Sequence, residues 1–164
     1  MSVSRPARRT GRSATLFLAV RYGLPRNGLP GPASFRRWAE AALQGARYRR
    51  RAELAIRIVG HAEGLALNRD YRGRDYSTNV LSFPVEPPPG VKLDLIGDLA
   101  ICAPVVEREA AEQGKAARDH WAHLTVHGVL HLLGHDHVQE DQALVMETLE
   151  TRILAGLGIA DPYA

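Results

Sequence analysis

Hydrophobic and polar residues alternate strictly from Glu53 to Gly60. Leu54, Ile56 and Ile58 fall on one side, and Glu53, Ala55 and Arg57 on the other. A period of two is the signature of a strand with one buried face. Apolar runs at about Thr15 to Arg21, Asn79 to Phe83 and Leu95 to Cys102 predict three further strands. The second of these is stopped by Pro84 and the turn Pro87-Pro88-Pro89-Gly90. Elsewhere the period is helical. Phe35, Trp38, Ala42 and Leu43 share one face, which predicts a helix capped by Ser34 and running to about Ala46. His61 to Arg69 reads as a short helix, followed by a charged loop from Tyr71 to Ser77. Three more helices are expected from Pro104 to Gln113, His120 to Leu133 and Asp141 to Leu157. Gly114, Gly134 and Gly158 end them. Strands come first and helices mostly last, so the expected class is α+β, with about four strands in a small mixed sheet and about five helices. With no repeat or linker, the expected organisation is one domain over residues 14–164. Ahead of it, residues 1–13 are polar, Arg-rich and aperiodic, which predicts a flexible basic arm.

Composition narrows the class without naming a function. The 164 residues are 45% hydrophobic and 24% charged, which excludes a disordered chain, a collagen and a coiled coil. No apolar run reaches the roughly 20 residues that a membrane helix needs. Leu16 to Val20 follows a basic stretch, yet it is too short for a signal-peptide core and Arg21 closes it. The single cysteine, Cys102, cannot form an internal disulfide, and a cytoplasmic location is expected.

Charge is divided unevenly. Residues 1–74 carry 16 Arg, no Lys and 4 acids, whereas residues 75–164 carry 5 basic residues and 14 acids. Arg pairs bidentately with phosphate, so a basic half suggests a polyanionic partner. The chain also uses 19 Arg against 2 Lys, so a general preference for Arg accounts for the pattern equally well.

The histidines are more specific. Six of the seven lie between His120 and His137. His127 and His131 are one turn apart on one helical face and can reach one ion. Gly134 permits a left-handed turn that brings His135 or His137 back to the same ion. Three neutral imidazoles with an open position describe a catalytic zinc site of zincin-like arrangement, with its helix in the core. His123 and His131 are about 12 Å apart along the helix, too far to share an ion. The pair is therefore His127/His131 or His123/His127, and Gly134 with the downstream histidines lies near only the first. In that arrangement His123 is a core histidine or a support for the ligands. His120 and His61 read as surface or packing residues. Asp136 either orients a ligand histidine or caps the turn.

The spacing H-x-x-x-H-x-x-G-x-x-H is shared with metzincin proteases, which place a Glu base directly after the first His. Here that position is Gly128. The protease chemistry loses its base, although a metal alone still acidifies water. A zinc peptidase or amidase is accordingly the second reading, and a non-catalytic binder whose metal only holds the fold the third.

The segment His127-Gly-Val-Leu-His-Leu-Leu-Gly-His-Asp-His137 resembles the motif of the YbeY family, bacterial metal-dependent endoribonucleases of rRNA maturation. Leu67-Asn-Arg-Asp-Tyr-Arg-Gly73 with Thr78-Asn-Val-Leu-Ser-Phe-Pro84, and Leu95-Ile-Gly-Asp-Leu-Ala-Ile-Cys102, resemble two further blocks of that family. The likeness runs from about Glu53 onward and departs at His135, where Tyr is common. The resemblance implies one zinc ion on His127, His131 and His137, and a functional Arg72. A guanidinium facing the metal would stabilise the charge that builds on a phosphodiester being cleaved. It further implies single-stranded rRNA as substrate, maturation of the 16S rRNA 3′ end, ribosome quality control, and the small ribosomal subunit or its proteins as partners. Asn79, Ser82 and Asp98 fall in the matched blocks, where cleft and structural roles are both open.

Overall fold

A computed structural model describes residues 15–135 and 139–164. The basic arm expected at residues 1–13 lies outside the described residues, as do Asp136 and His137. The elements run β1 (Leu16–Tyr22), α1 (Pro32–Gly45), β2 (Ala52–Val59), α2 (His61–Arg72), β3 (Val80–Pro84), β4 (Leu95–Cys102), α3 (Ala103–Gln113), α4 (Ala117–Leu132) and α5 (Glu140–Gly156). This is the α+β class expected, with four strands and five helices among the described residues.

The strands form one mixed sheet in the order β1-β2-β4-β3. β1 and β4 both pair with β2 in parallel, and β3 closes the edge antiparallel to β4. The alternation of β2 does what its pattern predicts. Leu54, Ile56 and Ile58 enter the main core with Leu99 and Ile101 of β4. Phe35 and Trp38 of α1, Trp121 and Leu130 of α4, and Leu154 of α5 pack into the same core. Phe35 meets both Trp38 and Trp121 edge to face, at 5.4 and 5.8 Å between ring centres. A smaller cluster of Val59, Cys102 and Val105 packs with Leu67 of α2. No helix among the described residues is long and apolar enough to cross a membrane.

Several boundaries differ from expectation, and α4 starts at Ala117, not at His120. α1 starts at Pro32 with Gly31 as N-cap, not at Ser34. Pro has the fixed φ of a first helical residue and lacks the N–H that position would leave unused. Ser34 instead receives a hydrogen bond from Arg118 at 2.9 Å. α2 continues through Arg72 because Gly73, at φ +65°, supplies a left-handed cap that returns its N–H to Arg69.

Candidate metal centre

α4 is buried on almost every side. From His120 to Leu132 every residue is buried except positions 123, 127 and 131, and all three are histidines. The helix is held by large apolar contacts, while its one partly solvated stripe carries imidazoles at a spacing of four. The rings of His127 and His131 stand 5.9 Å apart, and those of His123 and His127 6.3 Å apart. Gly134 then takes φ +98°, the left-handed turn its position suggested. The His135 N–H closes on the Leu130 carbonyl at 3.1 Å. His137, the third member of the expected ligand set, lies outside the described residues.

Gly128 follows His127 for a steric reason. A Cβ there would come within 2.8 Å of Leu99 and 3.3 Å of Val80. The position that carries Glu in metzincins is thus pressed against the sheet.

Glu150 was not singled out by the sequence. It is wholly shielded from solvent on α5, among Met146, Ile153 and Leu154 on the buried face. Its Oε1 accepts from His127 Nδ1, and its Oε2 accepts from the Tyr163 hydroxyl and, at 3.3 Å, from His123 Nε2. Burial pushes its carboxyl pKa up, but the hydrogen bonds from His123, His127 and Tyr163 and the charge of His127 outweigh burial and bring it down to about 2. Burial and the neighbouring carboxylates push the Tyr163 phenol upward. The missed signal was an acid at a buried α5 position, which an apolar stripe tolerates only with partners. His123, His127 and Glu150 each place one ligand atom within 4.8 Å of the others, so this group could hold a metal ion. Imidazole and carboxylate donors of this kind suit a divalent cation.

His120 and His61 also have polar neighbours, although the buried Nδ1 of His120 has no hydrogen-bond partner among the described residues. His120 is buried, and its Nε2 lies 3.0 Å from Glu109, which also accepts from Asn79 at 2.9 Å. The Asn79 amide and the His120 ring thus meet at one carboxylate oxygen of Glu109. His61 is exposed beside Ser77.

Arg72 occupies the exposed last turn of α2. Tyr71, its neighbour, packs edge to face on Phe83 at 4.7 Å, and the Asn68 amide holds the carbonyl of Tyr76. Ser82, next to Phe83, donates to the Gly128 carbonyl at 3.4 Å. β3 thus ties the Arg72 turn to the part of α4 that carries His127. Asp98 lines a cleft of about 440 Å³ with Arg21, Arg57, Tyr71 and Phe83. In that cleft Arg21 and Arg57 are register partners on adjacent strands.

Comparison with known proteins agrees with the motif reading. The family model for endoribonuclease YbeY matches residues 32–158. The endoribonuclease YbeY of Alkalilimnicola ehrlichii is 64% identical over 151 residues, covering 90% of this chain and 91% of that protein. Its counterpart in Stenotrophomonas maltophilia strain K279a is 63% identical over 153 residues, covering 91% and 94%. The solution structure of TM1509 from Thermotoga maritima superposes with a TM-score of 0.56 at 20% identity, over 89% of this chain and 98% of that one, a likeness of fold. Matched along most of its length by sequence and by family pattern, the chain belongs to the YbeY endoribonuclease family.

Proposed function

We propose that this protein is a zinc-dependent endoribonuclease that cuts single-stranded RNA in the maturation of the 16S rRNA 3′ end and in ribosome quality control. It works in the cytoplasm with the small ribosomal subunit or its proteins as partner. The observation that carries the reading is the histidine stripe on an otherwise buried helix in a chain of this family. His127 and His131, with His137, are the ligands proposed for one zinc ion. A cation held there would polarise the scissile phosphate as a Lewis acid.

The chain's own residues supply the rest. Arg72 grips the nonbridging oxygens with two parallel N–H donors and orients the phosphate. Its neighbours Tyr71 and Asn68 hold the turn that carries it, which supports a guanidinium of restricted reach. Arg57 and Arg69 stand in exposed ion pairs with Glu63 and Asp75, at 3.1 and 3.9 Å. Exposed pairs are weak, about 0–1 kcal/mol, so both arginines can exchange their partners for RNA phosphates. Arg74 and the Arg47 to Arg51 run extend the basic track.

The test is incubation of metal-loaded protein with end-labelled single-stranded RNA, an RNA duplex and casein. Cleavage of the single strand alone is expected, and a chelator should stop it. A 2′,3′-cyclic phosphate on the product identifies the ribose 2′-OH as nucleophile, and its absence identifies water. Hydrolysis of casein with RNA left intact would overturn the proposal, as would full cleavage by metal-free Arg72→Glu protein.

A further inference from the structure

We propose that Glu150 is a positioning residue for the metal ligand His127: it takes the Nδ1–H of that imidazole, fixes the ring's lone pair on Nε2, and is braced from its other oxygen by Tyr163. The inference rests on the ligand set proposed above.

A carboxylate shut away from water is costly unless its oxygens are hydrogen-bonded. Among the described residues, no Lys or Arg pairs with Glu150. Its partners are two histidines and a tyrosine. Both of its oxygens face these groups, and a carboxylate oxygen accepts from a ring N–H or a hydroxyl. With its proton on Nδ1 toward Glu150, a neutral His127 keeps its lone pair on Nε2, the tautomer a carboxylate imposes on a metal-ligating histidine. His131, one turn on, presents its ring 5.9 Å from that of His127.

The second oxygen is held as deliberately as the first. Tyr163 reaches it from the segment after α5, and that segment is itself pinned. The Asp161 carboxylate accepts the Tyr163 N–H at 2.8 Å, and Lys115 Nζ donates to the Pro162 carbonyl at 2.9 Å.

The same atoms allow a competing arrangement, in which His123, His127 and Glu150 are themselves the ligands. An ion placed there would have to replace the proton between His127 and Glu150 and would bind Nδ1. The two arrangements therefore put the metal on opposite nitrogens of one ring, and that difference can be read directly.

The experiment is a two-bond proton–nitrogen correlation spectrum of zinc-loaded protein labelled with ¹⁵N-histidine, paired with zinc affinity by chelator competition. The expected result is His127 protonated on Nδ1 and coordinated through Nε2. Glu150→Gln should bind zinc about 10- to 100-fold more weakly. Tyr163→Phe should weaken it by a smaller factor. Zinc on Nδ1 of His127, or undiminished affinity in Glu150→Gln, overturns the proposal. Should Glu150→Gln fail to fold, the spectrum of the unaltered protein decides by itself. His131→Ala separates the two levels of the argument. If that variant keeps full zinc affinity, the ligand set falls and this inference with it. If it loses zinc while the parent binds through Nδ1, this inference alone falls.

Discussion

The hydroxyl of Ser82 donates to the carbonyl of Gly128 at 3.4 Å, joining the edge strand to the helix of the histidines one residue after His127. The neighbouring Phe83 packs on Tyr71, one residue before Arg72. Adjacent side chains of one strand thus contact α4 and α2, one on each face of the sheet edge.

The tight seat of Gly128 predicts a cost for any side chain there. Gly128→Ala drives a methyl to 2.8 Å from Leu99, so Leu99 or α4 must shift. The expected loss is about 1–3 kcal/mol of stability, the usual cost of overpacking. Urea unfolding of metal-free protein measures it, and an unchanged midpoint would contradict the packing argument.

Removing a proposed ligand and removing the proposed clamp should have separable effects. His127→Ala should lose both zinc and cleavage. Arg72→Glu should keep one zinc per chain by elemental analysis and lose about 10²- to 10³-fold in cleavage rate, the scale seen when a single charge-stabilising donor is lost.

Metal withdrawal should also register as stability. A ligand that binds only the folded chain stabilises it by about 2.7 kcal/mol at one hundred times its dissociation constant. Melting curves with and without zinc should separate accordingly. In His127→Ala they should coincide.

Cys102 offers a probe of the sheet that does not involve the metal. Burial raises its thiol pKa, against lowering by the Val105 backbone, Ser77 and Arg108. The thiolate is the reactive form, so the folded protein should react slowly with a thiol reagent near neutral pH. The rate should rise sharply in denaturant. Fast labelling of the native protein would show that α2 does not cover this end of β4.

The parts legible in the sequence were those set by local periodicity. The alternation of β2 and the imidazole spacing on α4 needed no tertiary information. The order of the strands did, since β4 lies between β2 and β3 although it follows both in the chain. In the sequence the last turn of α2 reads as loop because Asp70 to Arg72 extend no apolar stripe, yet the Gly73 cap carries the helix across them. Glu150 left a trace, an acid on a helix face whose other buried residues are apolar. Tyr163 left none, because only the folded chain brings it to that carboxylate.

The burial of α4 has a practical consequence for engineering. Ten of the thirteen residues from His120 to Leu132 are committed to the interior, so the imidazoles ride on a helix whose seat is set by the core. A swap at Val126 or Leu130 that keeps total volume can leave the melting point untouched while displacing the rings by a fraction of an ångström. Turnover is then a finer gauge of this interior than heat, and libraries selected for thermal tolerance alone will gather folded, silent variants.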